Sequence, residues 1–586
     1  MKYLAWDWNL GWTLALVLST TSVPAAPLPQ IYPVEDLRPG QRGITRTVLQ
    51  GTQIEEIQTE ILGVQKAALG AGHDLIIGRL IDPRTEKTGA VHGMSGSPLY
   101  IDGKLVGALS RRITLFEKDG HCGFTPAADM FDVERRSSST APEPWQGGWW
   151  TLLAAPFTGS GCGSAGQWLS VPLPVPGWGP AMEQAFKPFF ENIPGFLPVA
   201  AAAGRADSSS RLPLPLKDGS PLAVVLVDGD FSMAGTGTLT WTDGHRFMAF
   251  GHPMMGLGSA ALPVAPAEII TTIPSYFMPH KLSNAGSVSG TLTQDRLSAI
   301  SGTLDRAPAM APYRIKRTHN GEPRPDLKGR LALHPRLSPM LVAMLMARTL
   351  NDEQDTSEYV TVRLHGSIQL QGLPALVLDG VYSGDDSERM RAVMDQALPL
   401  LRLCRDFPRQ VAIEGLELSV ESFEKDATWQ IDDLRPSATT VRPGESIRLL
   451  TRLRSPAGVE RWVEQVLALP EEVREGTVEV RVLAGSELRQ ERLNDRDLGR
   501  MDQPRDFLRA LDVSADADRL YAQVNLLGPA VATGGFLQAG LPGSIARQQA
   551  GTPDPVRSTR RTVAEVSAPQ QGVVAGSRQF TLRIIP

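Results

Sequence analysis

The sequence has only three cysteines, Cys122, Cys162 and Cys404, among 586 residues. That is too few for a disulfide framework or a cysteine-rich zinc site, and the odd number leaves at least one thiol unpaired. A Cys122 to Cys162 bridge is open to the chain, but nothing in the spacing asks for it. The nine histidines form no HExxH pattern and no close pairing with carboxylates, so hydrolysis by a bound metal lacks its usual signature. No metal and no cofactor is expected. An excess of one charge is also missing: 58 Lys plus Arg stand against 63 Asp plus Glu, a net charge of −5. Neither nucleic acid nor an anionic membrane surface finds an electrostatic footprint here. Aromatic residues make up only 6%. Beyond the leader no apolar run is long enough to span a bilayer, and no lipobox cysteine follows the leader.

What is plentiful is Gly (56) and Pro (46), which suits short strands joined by many turns and predicts a mainly β protein. The N-terminus carries Lys2, an apolar run from Leu10 to Leu18, then small residues with Val23 and Ala25 at the minus-three and minus-one positions of a cleavage site. This reads as a secretory signal over residues 1–25. An uncleaved anchor is the alternative, though the run falls well short of the roughly 20 residues a spanning helix needs. The protein is therefore expected to be exported, periplasmic or extracellular, and not integral to a membrane after cleavage.

The chain is long enough for about three or four domains. Residues 31–132 alternate strand and turn, with strands expected at Ile44–Leu49, Ile57–Val64 and Leu75–Ile81. Residues 133–222, rich in Ser, Gly, Pro, Ala and Trp, read as an irregular connection on the surface. A second β unit covers 223–305, opening with Val224–Val227. An α+β segment follows over 306–410, where Ser338-Pro339 starts a helix reaching Leu350 and Ser383–Leu403 is a second helix despite Pro399. The alternation Leu416, Leu418, Val420 and later Val478, Val480, Val482 suggests a β-sandwich over 411–540. Residues 541–586 read as a mobile tail with a final strand at Phe580–Ile585.

The chemistry concentrates in Gly93-Met94-Ser95-Gly96-Ser97-Pro98. A serine hydroxyl is a poor nucleophile unless a tight turn presents it to a base, with backbone N–H groups aimed at the developing oxyanion. Glycines on both sides of Ser95 permit such a turn, and the amides of Gly93 and Ser95 could form the oxyanion hole. Behind the turn, Leu99 to Ala108 is a hairpin whose Asp102-Gly103 pair fits a two-residue turn. Gly-x-Ser-Gly-x-Pro with such a hairpin resembles the nucleophile segment of chymotrypsin-like double-barrel serine peptidases. The longer stretch, Ile81-Asp82-Pro83-Arg84 through Thr88-Gly89 to Pro98, resembles the peptidase family of the stage IV sporulation protein B.

A second motif, Gly235-Thr236-Gly237-Thr238-Leu239-Thr240-Trp241 followed by a turn at Asp243-Gly244 and then Phe250-Gly251-His252, is similar to that family's Gly-Thr-Leu-Thr strand and Gly-His motif. The resemblance implies a double β-barrel core with Ser95 as nucleophile, His252 as general base and Asp82 as the acid. Asp295 and Asp74 are the reserves for that acid, and His92, Met94 and Ser97 are expected to line the site. Two departures stand out. Ser95 precedes His252, the reverse of the sporulation protease, and no PDZ-like segment is evident. Triads are defined by geometry and not by chain order.

The function implied is an exported serine endopeptidase acting on protein or peptide substrates. A catalytically silent peptidase-fold scaffold, binding an envelope partner through the C-terminal sandwich, is the alternative of another class. Esterase chemistry would use the same residues.

Overall fold

The computed structural model describes residues 28–586, apart from 86–87, 115–118, 136–166, 177–178, 192–194, 200–203, 206–214, 276, 352–358, 474–475, 495–500, 514, 534–535, 540–543 and 545–556. The expected leader and Cys162 lie outside the described residues. The protein is mainly β, and its first half holds two closed barrels.

The first barrel is built from β1 (Arg42–Thr47), β2 (Glu55–Gln65), β3 (Leu75–Ile81), β4 (Pro98–Ile101), β5 (Lys104–Arg112) and β6 (His121–Pro126). They pair in the order β4-β1-β2-β3-β6-β5, and β5 returns to β4 to close the ring. Alternation sets what faces inward. On β1 the interior residues are Thr45 and Thr47, whereas Ile44 is exposed. The inward Thr45 hydroxyl is 2.7 Å from that of Thr59, so this interior is partly polar and hydrogen-bonded, beside a cluster that includes Ile57, Ile61, Ile76, Leu109 and Phe124. The β4–β5 turn places Asp102 and Gly103 at φ 51° and 76°, the left-handed pair that a two-residue hairpin requires.

Within the stretch expected to be an irregular surface connection, the structure places β7 (Gln167–Trp168), β8 (Val171–Pro174), a helix at Pro180–Glu191, β9 (Phe196–Val199) and β10 (Gly204–Arg205). Val171, Leu173, Met182, Phe186 and Phe196 are buried in the main core. Three separated apolar groups among Gly, Ser and Pro were enough to dock this segment, because burial of each side chain contributes about 1.5 to 3 kcal/mol.

The second barrel closes β11 (Pro221–Gly229), β12 (Met233–Thr242), β13 (Arg246–Ala249), β14 (Gly258–Ile273), β16 (Gly290–Arg296) and β17 (Ala299–Thr303), with β14 pairing β11. The hairpin of β14 and β15 (His280–Ala285) reaches across to the first barrel. There Ile269 exchanges backbone hydrogen bonds with Gly51, and Thr272 donates to Leu49 O.

The same sheet continues through β18 (Met310–His319) and β19 (Glu322–Ala332) into β20 (Val360–Leu370), β21 (Leu376–Gly384) and β22 (Ile413–Phe423). Two helices, Ser338–Leu350 and Asp386–Asp406, pack on each other and the second packs on β21. Strand β22, whose alternation was assigned to the sandwich, belongs to this sheet. The sandwich itself starts at Thr428 and has its own apolar core. Its last strands come from the stretch read as a mobile tail: Arg557–Pro569 pairs along Arg519–Thr533, and Ser577–Ile584 pairs with Gly476–Ala484. The Arg-rich, polar sequence there is that of a strand with one wet face.

Candidate active site

The nucleophile turn lies against β12, and each of its carbonyls is held. The Thr238 amide donates to Ser95 O at 2.8 Å. The hydroxyls of Thr238 and Thr240 donate to Gly93 O (3.1 Å) and Gly96 O (2.8 Å). Gly93 and Gly96 sit at φ 92° and 93°, and a Cβ on Gly96 would collide with Thr238 O. Glycine is needed at this seam for space as well as for dihedral. The Gly-Thr-Gly-Thr-Leu-Thr strand thus acts as the bed of the serine turn.

That arrangement decides where the amides point. Peptide groups are planar and trans, so fixing an oxygen aims the N–H of the same unit the opposite way. His92 O accepts from the Lys281 amide at 3.0 Å, which aims the Gly93 N–H away from Lys281. Met94 O accepts from both the amide (3.0 Å) and the hydroxyl (2.6 Å) of Ser97, which in the same way aims the Ser95 N–H away from Ser97. The amides of His92, Met94, Gly96 and Ser97 all have acceptors, whereas those of Gly93 and Ser95 have none among the described residues. Two free N–H groups flanking a serine are what an oxyanion needs. Ser95 Oγ is fully buried and has no hydrogen-bond partner among the described residues. It lies 3.1 Å from where a Cβ on Gly237 would be, and the Phe250 ring lies 2.6 Å from the same point.

His252 ends the loop after β13. Phe250 and Gly251 precede it at φ 72° and 69°, a strained conformation for Phe250. It is held from both barrels: Thr125 Oγ1 of β6 donates to Gly251 O at 2.6 Å, and the buried Asp295 carboxylate of β16 accepts from the amides of Met254 (2.8 Å), Met255 (2.8 Å) and Leu257 (3.2 Å). Burial pushes the Asp295 carboxyl up, against the pull of those N–H donors.

The ring itself is fully buried, with Nδ1 2.8 Å from Pro253 O and Nε2 2.9 Å from Leu169 O. Burial pushes its pKa down to about 4, against the two carbonyls. Both nitrogens thus face carbonyl oxygens, of which the neutral ring, with a single N–H, can donate to only one, and neither is bonded to Ser95. The Trp168 ring lies 5.4 Å from the imidazole, and the Arg111 guanidinium sits 3.6 Å over that indole.

The other expected site residues each have partners of their own. Asp82 is not brought to His252: its carboxylate accepts from the Arg84 amide (2.8 Å), Nε (2.9 Å) and Nη2 (2.8 Å). The Arg84 guanidinium holds that carboxyl below its ordinary range, so Asp82 is committed to its own turn. Asp74 is likewise committed, to Lys66 and the Ala67 amide. Asp295, the remaining reserve, reaches the histidine loop through its main chain and not through the ring. Met94, expected to line the site, fills the core of the first barrel. Ser97 braces the turn from behind, and His92 is buried with Nδ1 3.2 Å from Ser170 O and its pKa pushed down to about 4 by burial.

Lys281 is the residue that sequence reasoning missed. Alternation along His280-Lys281-Leu282-Ser283 would turn Leu282 inward, but the strand turns Lys281 and Ser283 inward instead. Its stem lies 3.2 to 3.4 Å from where a Cβ on Gly93 would be, and its amine donates to Thr47 Oγ1 at 2.9 Å. Burial pushes this amine down to about 7, opposed by the charge of Glu55. Among the described residues no cluster of His, Cys, Asp and Glu could hold a metal, and no helix is long and apolar enough to cross a membrane. Cys122 and Cys404 are both buried.

Residues 23–129 match the family model described as SpoIVB peptidase S55. The match takes in the first barrel and Ser95 and ends before the strands that carry His252. No curated protein and no solved structure matches the chain.

Proposed function

With a SpoIVB peptidase segment as its first barrel, we propose that the two-barrel unit is a serine endopeptidase acting outside the cytoplasm on protein substrates. Export is supported by the leader over residues 1–25. In the reaction, Ser95 Oγ attacks the scissile carbonyl carbon while His252 takes its proton. The oxyanion rests on the Gly93 and Ser95 amides, the amine leaves with the proton returned by the imidazole, and water then releases the acyl group by the same steps. The observation that carries this reading is that the amides of Gly93 and Ser95, in the same turn as the buried serine hydroxyl, have no acceptor among the described residues. Labelling by a fluorophosphonate probe tests it. The wild type should label at Ser95, Ser95→Ala not at all, and His252→Ala at least about 100-fold more slowly, as expected for loss of a general base.

A second reading, a catalytically silent scaffold with a peptidase fold, is favoured by the placing of both imidazole nitrogens against carbonyl oxygens and the complete burial of Ser95. Protein that stays unlabelled at every pH, both as wild type and with the contacts of the strand Gln167–Trp168 loosened by substitution, selects it.

A further inference from the structure

The edge of β5 beside Ser95 is covered by a piece of the chain itself. Strand β4 pairs with β5 only as far as Ala108 and then has passed back into the serine turn. From Ser110 onward that edge would present unpaired backbone groups next to the nucleophile, which is where an extended peptide adds as a strand. Instead β7 lies there, antiparallel, with Trp168 opposite Arg111 and Gln167 opposite Arg112, and the Leu169 amide donates to Ser110 O at 2.8 Å.

The next carbonyls then meet the histidines of the site: Leu169 O takes His252 Nε2 at 2.9 Å, and Ser170 O takes His92 Nδ1 at 3.2 Å. The Leu169 side chain is fully buried in the same cluster as Val91, Met94 and Leu109. Downstream, the Val171 amide donates to Gly195 O, and the Val171 side chain covers Gly235 of β12.

We propose that Gln167–Ser170 is an intramolecular blocking strand: it occupies the peptide-binding edge of β5 in place of a substrate and holds His252 away from Ser95. The proposal rests on the peptidase reading and deepens it. It explains why the amides of Gly93 and Ser95 are left without acceptors among the described residues while the base is engaged elsewhere. The substrate implied is an extended peptide, paired antiparallel to Ser110–Arg112, that must displace this strand or find it already released.

The test compares fluorophosphonate labelling rates in the full-length protein. Trp168→Gly removes the ring that bridges Arg111 and His252, and Arg111→Gln loosens the same contact from the other side; cooperative thermal unfolding of each variant shows that it is folded. Either folded variant should label at Ser95 about tenfold faster than the wild type, the size expected from loss of one well-packed ring and its cation–π contact. If the wild type labels at Ser95 and both folded variants label no faster, the blocking strand is overturned and the peptidase reading stands. If neither the wild type nor a variant labels, both fall together.

Discussion

The serine turn and the histidine loop are both clamped by hydrogen bonds across the two barrels, yet the clamps leave opposite results. In the turn, donors from β12, Ser97 and Lys281 take up the carbonyls and leave two amides free. In the loop, a carboxylate takes up the amides, and the imidazole is left to bond with carbonyls. The turn is organised by its own fold, whereas the loop's ring depends on what lies beside it. If the proposed peptidase reading holds, one half of the site is set by its own turn and the other by a neighbouring strand, whose displacement would change the chemistry without refolding either barrel.

The largest effect that would break this comparison is expected at Asp295. Asp295→Ala leaves the amides of Met254, Met255 and Leu257 without their acceptor in a fully buried site. Stranded buried donors of this kind cost about 1 to 3 kcal/mol each, with partial relaxation, so a loss of roughly 3 to 5 kcal/mol is expected in urea unfolding. A loss below about 1 kcal/mol would mean that the loop holds its shape without the carboxylate, and that the clamp on this side is Thr125 alone.

Lys281 sharpens the turn side of the comparison through pH. Its amine is pushed down to about 7 in the folded protein, while in the unfolded chain it titrates near 10.4. Between those values the unfolded chain binds more protons, so wild-type stability rises with pH across this window; below about pH 7 both states are charged and the penalty is complete. Lys281→Met removes the penalty. The variant should therefore exceed the wild type by about 2 to 4 kcal/mol at pH 6, after allowing for the Thr47 hydroxyl left without its donor, and the gain should shrink toward zero by about pH 10. Thermal unfolding at both pH values measures it, and a gain independent of pH would show that the amine is not the cause.

Much of this architecture was legible in the sequence. The Asp102-Gly103 hairpin, the strand Leu75–Ile81 and the helix Ser338–Leu350 follow from turn chemistry, β-branched runs and a Ser-Pro start, signals that act within a few residues of chain. Ser95 and the Thr-rich strand that beds it were visible as motifs. What stayed hidden depends on contacts distant in sequence. Asp82 is the local exception: it is a sound turn residue whose carboxylate is taken by Arg84, only two residues on, which the motif alone does not show. Lys281 is turned inward against its hydropathy by the pairing of its strand with His92. The strand at Gln167–Trp168 has no periodicity of its own; it is a strand because the edge of β5 offers it partners.

The smallest expected effect separates bracing from binding at the oxyanion side. The Ser97 hydroxyl and amide both donate to Met94 O, and Ser97→Ala removes only the first. One neutral hydrogen bond is worth about 1 kcal/mol in unfolding, so stability should fall by no more than that. Because Met94 O and the Ser95 N–H are opposite ends of one planar unit, a carbonyl free to swing also loosens the aim of the amide. Labelling at saturating fluorophosphonate should then slow about three- to tenfold with the half-saturating concentration unchanged, since the amide is needed when charge develops and not when the probe docks. A shift in half-saturation alone would place the Ser97 hydroxyl among the groups that touch the ligand and remove it from the support of the turn.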